Sequence, residues 1–191
     1  MSDLPIVTGS DGKPREAQAV TLFDKATGSS AQLRSTIIPL TATVARPNNA
    51  TPITAGDIVA GLFTFNFGAS GLPAGVILSA QLRRQKATTS AERFRLYLFD
   101  ALPAQADLSD NTPFPQAWAD AASLIGAFDF ATPVATVVAN AGASLNYEGV
   151  RLGADSIQFG NGGEVHGVLV SLDGYTPTAV AGHLIRLVGG A

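Results

Sequence analysis

The sequence predicts an all-β protein, an antiparallel sandwich or barrel of roughly eight to ten short strands. Three observations carry this. Apolar residues recur with a period of two in window after window. Gly, Pro and Asn clusters separate those windows. The 10–15-residue helical patterns that a parallel sheet needs between its strands are missing.

The first 35 residues show no sustained periodicity beyond one apolar island, "AVTLF". They are expected to form an extended N-terminal arm, 1–35, ahead of a sandwich domain, 36–191. Within the arm Val20, Leu22 and Phe23 are the candidate contact residues for a neighbouring subunit, although a frayed terminus has the same composition. From Thr36, "TIIPLTATVARP" sets Ile38, Leu40, Ala42 and Val44 against Thr41 and Thr43, a half-buried strand. Pro39 has no N–H to give, which places this strand at an edge or a bulge.

"DIVAGLFTFNFG" sets Leu62 and Thr64 against Phe63, Phe65 and Phe67. "GVILSAQLRRQKA" and "RFRLYLFD" follow, and the second reads as a central strand, with Phe94, Leu96 and Leu98 on one side and Tyr97 and Phe99 on the other. Residues 102–122 break the rhythm with three prolines, leaving a long loop with a helical turn expected at Gln116–Ser123. Loops of that length in a compact domain tend to be functional or disordered.

Short strands resume at "SLIGAFDF", "TPVATVV", "SLNYEG" and "DSIQFG", and "GNGG" reads as a hairpin turn. In "EVHGVLVSLDG" both alternating sets are apolar, so this strand must be covered twice. A second sheet would cover Val168 and Val170, and a loop, a third layer or another chain would cover the opposite side.

Charged residues are 14% of the chain and the net charge is −3, so much of the surface is neutral and the basic footprint of a nucleic-acid binder is lacking. With no cysteine, disulfides, thiolate catalysis and Cys-based metal sites are excluded. The N-terminus is unlike a signal peptide, and no apolar run is long enough for a membrane span.

The search for chemistry yields little. His166 and His183 sit in apolar strands and read as satisfied structural histidines, and the odd offset between His166 and Ser171 puts them on opposite faces. Asp100, Asp107, Asp110 and Asn111 could offer oxygen ligands to calcium, but they fit turn chemistry better. Asp100, Asp129 and Glu148 cannot be placed as a glycosidase pair from sequence. No enzyme activity, cofactor or metal site is expected. One run is basic: Arg83, Arg84, Lys86, Arg93 and Arg95 form a candidate inter-subunit charge patch, facing acidic residues farther along the chain. A solvated hairpin end would look the same.

Four stretches, "LTATVARPNNATPITAGDIV", "FRLYLFDALPAQADLSDNTPF", "ADAASLIGAFDF" and "VHGVLVSLDGYTP", resemble a group of tailed-bacteriophage β-sandwich virion proteins encoded beside the major capsid protein. The resemblance spans about Thr36 to Val188 and implies a jelly-roll sandwich that acts as a head decoration or cement protein. It also implies placement on the capsid exterior after assembly in the host cytoplasm. The partners implied are the major capsid protein and further copies of the chain, as a homodimer or homotrimer, with no nucleic acid and no membrane. No catalytic residue comes with it. The alternative is a tail-associated or host-recognition module that binds glycans, with Phe114 and Trp118 as an aromatic platform.

Overall fold

A computed structural model of the chain describes residues 6–8, 14–16, 21–24, 29–32, 37–46, 51–86, 92–104, 108–115, 118–131, 133–139, 142–177 and 182–191. The chain divides into two units, Met1–Ser35 and Thr36–Ala191. In the first, β1 (Ile6–Thr8) pairs with β2 (Pro14–Glu16), and β3 (Thr21–Asp24) pairs with β4 (Ser29–Gln32), both antiparallel. The segment expected as an extended arm thus contains two short two-stranded pairings. Leu22 and Phe23 lie on β3, and Val20 lies outside the described residues.

The second unit begins with β5 (Ile37–Ala45), β6 (Ile58–Asn66), β7 (Gly75–Lys86) and β8 (Phe94–Phe99). It continues with β9 (Leu124–Phe130), β10 (Pro133–Ala139), β11 (Gly142–Glu148), β12 (Val150–Arg151), β13 (Ile157–Phe159), β14 (Glu164–Ser171) and β15 (Gly182–Gly190). Sheet I has the order β10-β11-β7-β15-β5, with β13 also on β7, and sheet II has the order β12-β9-β8-β14-β6. Every pairing is antiparallel.

Setting aside β10, β12 and β13, the strands pair first with last: β5 with β15, β6 with β14, β7 with β11, β8 with β9. Successive pairs fall alternately in sheet I and sheet II. A long hairpin wound in this way is a jelly roll.

Side-chain parity explains the layers. Phe94, Leu96 and Leu98 of β8 are buried between the sheets, packed with Phe130, Ile185 and Leu187, while Phe99 belongs to a second cluster on the other face. β8 is the middle strand of sheet II, as its two apolar faces predict. β5 is the edge strand of sheet I, and this is where Pro39 is tolerated.

β14 shows how the second face is closed. Residues directly opposite on paired strands share a face. Leu169 stands opposite Leu96 and points into the inter-sheet core, whereas Val168 stands opposite Tyr97 and points outward. The expectation that Val168 and Val170 meet the other sheet is therefore reversed. They join Ile58 and Phe99 in the outer cluster, with Leu108 and Phe114 of the long loop laid over them. The Phe114 ring rests on Tyr97, centroids 4.8 Å apart.

That loop is tied to β6 by its backbone. Ile58 N–H donates to the Thr112 carbonyl at 2.8 Å, Asn111 N–H to Ile58 at 2.8 Å, and Phe114 N–H to Gly56 at 2.9 Å. β6 accommodates the loop with a bulge: Val168 faces Leu62 but Val170 faces Ile58, and Ala60 and Gly61 take φ of 66° and 89°. The Ala60 N–H, turned out of the ladder, donates to Asp110 Oδ1 at 2.7 Å. Of the helical turn expected at Gln116–Ser123, the described residues show a 3₁₀ turn at Trp118–Asp120.

Gly160–Gly163 is not a hairpin turn. β13 before it pairs with β7 in sheet I, and β14 after it lies in sheet II, so these residues carry the chain across the sandwich. Gly163 has φ +84°, and a Cβ there would lie 2.4 Å from the Gly68 backbone nitrogen. Its carbonyl also accepts from Phe67 N–H at 2.8 Å. The variant Gly163→Ala is expected to lose about 2 kcal/mol or more, from the left-handed backbone together with the clash. Urea unfolding followed by circular dichroism measures this, and an unchanged midpoint would refute the account.

Candidate functional site

The five residues of the basic run do not share one surface. On β7, Arg83 faces outward, but Arg84 has the parity of Ala80 and Leu82 and is buried, 1% exposed. Its guanidinium pairs with Glu92, itself buried, and lies 4.4 Å from the Tyr175 ring centroid and 5.3 Å from that of Phe94. Arg84 is therefore an interior residue that cannot reach another subunit.

Arg93 pairs with Asp173 (2.7 Å) and Arg95 with Asp129 across β8 and β9 (2.6 and 2.9 Å). Asp129 holds the Arg95 guanidinium more firmly protonated than usual. The complementary charges on which the inter-subunit reading rested are thus largely matched within the chain. The Lys86 side chain lies outside the described residues.

The carboxylates of the long loop are likewise committed. Asp110 accepts from Arg46 Nε and Nη2, both at 2.7 Å, besides the Ala60 N–H. Burial works against its ionisation, but the Arg46 guanidinium and the Ala60 N–H outweigh it and hold the carboxyl below its ordinary range. Asp110 is the pin that fixes the loop over the outer cluster. Asp107 lies outside the described residues, among which no group of three metal-ligating side chains occurs. Phe114 is spent on Tyr97 and the outer cluster, and the Trp118 side chain lies outside the described residues.

The two histidines differ. His166 is held by Thr64, Oγ1 to Nδ1 at 2.9 Å. His183 is fully buried beside Phe94, and neither ring nitrogen has a hydrogen-bond partner, contrary to the expectation of a satisfied histidine. Burial, aided by the charges of Arg84 and Arg46, pushes its pKa down to about 3, against a weaker opposing pull from Asp110 and Glu92. Sequence reading missed this buried polar group of Arg84, Glu92 and His183. The signal available was parity: Arg84 continues the inward series Ala80, Leu82.

What remains open is the outer face of sheet I. A groove of about 360 Å³ crosses β11, β7 and β15 there, lined outwardly by Gln81, Arg83, Asn146, Glu148, Leu184 and Arg186. Leu184 is 38% exposed. Arg83, Arg186 and Glu148 hold no ion pair among the described residues, unlike Arg46, Arg84, Arg93 and Arg95. Among the described residues, one outer face of the sandwich thus has its apolar cluster covered by its own loop, and the other presents a mixed surface with no such loop over it. Fold and faces together define a jelly-roll sandwich with an open sheet. No protein-family model matches the chain, and a search of curated proteins finds no match.

His183 gives a pH dependence with a definite sign. Its folded pKa lies below the unfolded value of about 6.5, so the unfolded chain takes up a proton that the folded chain refuses as the pH falls. Stability present near pH 7 is expected to drop by roughly 2–3 kcal/mol by pH 4.5 from this group, at about 1.4 kcal/mol per pH unit. In His183→Leu that part of the loss disappears, leaving the contributions of Asp110 and Asp173, whose carboxyls are held below their ordinary range and act with the same sign. Urea titrations of both proteins at the two pH values compare the losses, and equal losses would refute the assignment.

Proposed function

We propose that this chain is a structural virion protein, a decoration or cement protein that stabilises a phage head by bridging major capsid protein subunits from the capsid exterior. The observation that carries the proposal is where the phage-like stretches fall. "FRLYLFDALPAQADLSDNTPF", "ADAASLIGAFDF" and "VHGVLVSLDGYTP" supply β8, β9 and β14, adjacent strands of sheet II, and the loop that covers them. The remaining stretch leads from β5 into β6, and its Ile53 bridges to Tyr175 in the last stretch. The resemblance therefore maps onto one contiguous covered scaffold.

The architecture suits that role. Jelly rolls are widely used in viral shells, and a lattice offers the same modest contact many times, so avidity replaces a single large interface. The scarcity of charge fits surfaces that face other subunits. No helix among the described residues is long and apolar enough to cross a membrane. The glycan-binding alternative has less support: Phe114, half-buried, is stacked on Tyr97 against the outer cluster rather than standing free as a platform residue.

Heads assembled from the neighbouring major capsid protein are expected to withstand higher temperature or load when this protein is added. Deletion of residues 1–35 is expected to lower its occupancy on the particle while far-UV circular dichroism still reports a β-sandwich. Thermal-release assays and quantitative gels read both effects. Equal fragility with and without the protein would overturn the role, and unchanged occupancy would remove the arm from it.

A further inference from the structure

We infer that the outer face of sheet I is where two copies of this chain meet about a two-fold axis, Arg186 of one copy standing opposite Glu148 of the other. That copies associate belongs to the structural role proposed above, but the face and the pairing hold without a capsid.

The first ground is the asymmetry of the sandwich. Among the described residues, the apolar cluster at the centre of sheet II's outer face is roofed by Leu108 and Phe114, with Val150 left exposed at its β12 edge, whereas the exposed apolar side chains of sheet I have no such roof. Ile37 on β5 is 60% exposed, Leu78 at the β7 bulge is 52% exposed, and Leu184 projects beside the groove. Leu102, Val150 and Leu152 are exposed elsewhere, but Ile37, Leu78 and Leu184 share one sheet face, and residues that share a face mark an interaction surface better than residues scattered singly.

The second ground is charge placement. Arg186 on β15 and Glu148 on β11 are both register partners of Gln81 on β7, so they flank it one strand away on either side. A two-fold axis running along β7 exchanges the positions of β15 and β11. Each Arg186 then comes over the partner's Glu148, giving two identical ion pairs and a self-complementary patch of the kind a C2 interface requires. Gln81 meets its own symmetry mate, and its amide supplies both a donor and an acceptor. Within one copy, Arg83 stands diagonally from Glu148, in reach of a long side chain. Glu148 therefore has a guanidinium on either side, and neither arginine has another carboxylate among the described residues.

The third ground is size. Four strands about 4.8 Å apart and about 30 Å long present on the order of 600 Å². Two such faces come to roughly 1,200 Å², the lower bound of a stable interface.

The test uses the full-length protein in sedimentation equilibrium. A dimer is expected, weakened by about tenfold or more in Arg186→Glu and in Glu148→Arg, and restored to within about threefold in the charge-swapped double variant. Because the chain has no cysteine, Gln81→Cys offers a single thiol at the axis. A short bismaleimide is expected to convert it to a covalent dimer, while Asp155→Cys, exposed elsewhere, stays uncross-linked. A monomeric wild type would overturn both the face and the association of copies. A monomer that dimerises only without residues 1–35 would give the face to the chain's own N-terminal unit and overturn the proposal. A trimer, single variants without effect, a double variant no better than the singles, or a Gln81→Cys protein that resists cross-linking would overturn the face while leaving association standing.

Discussion

The constraint on which the structure turns is that β14 has no side it can leave in water. Its backbone is hydrogen-bonded to β8 and β6, and its side chains are apolar both above and below. Leu169 and Val165 are met by sheet I, but Val168 and Val170 need a second cover. The chain supplies one from a segment that would otherwise be a loose excursion between β8 and β9. The Asp110–Arg46 pair and three backbone hydrogen bonds hold it in place. The same contacts occupy the start of the free edge of β6, at Ile58 and Ala60, so one device closes a face and protects part of an edge strand.

Much of this architecture was legible in the residues. The two-sided alternation of β8 marks a central strand, and Pro39 marks an edge, because both follow from the period of two and the missing proline N–H. Which parity faces inward was not legible for β14, since Val168 and Leu169 are equally apolar and only register against Tyr97 and Leu96 separates them. "GNGG" misled for a related reason: a hairpin and a crossing between sheets demand the same left-handed glycines. The basic run misled because composition counts charges without regard to side. Arg84 sits among Arg83, Gln85 and Lys86 in sequence, yet shares its face with Leu82.

The interior pair and the loop pin place charges where they cost most. Arg84 with Glu92 and Arg46 with Asp110 are desolvated, and each cation would be expensive if its carboxylate were lost. The aromatic rings of Tyr175 and Phe94 against Arg84 lessen that cost by offering their π faces to the guanidinium. His183, packed beside them and kept neutral, tolerates two neighbouring cations that an imidazolium would not.

Winding the first strand of the sandwich against the last has a kinetic side. β5 finds its partner only when β15, more than a hundred residues later, has left the ribosome, and β6 waits almost as long for β14. Until then the early strands carry open ladders in a crowded cell, and pairings so distant in sequence close slowly. Pro39, set within the strand that waits longest, leaves a gap in the row of donors that a stray strand would need, and so helps a nascent chain reach its own β15 before it meets another chain.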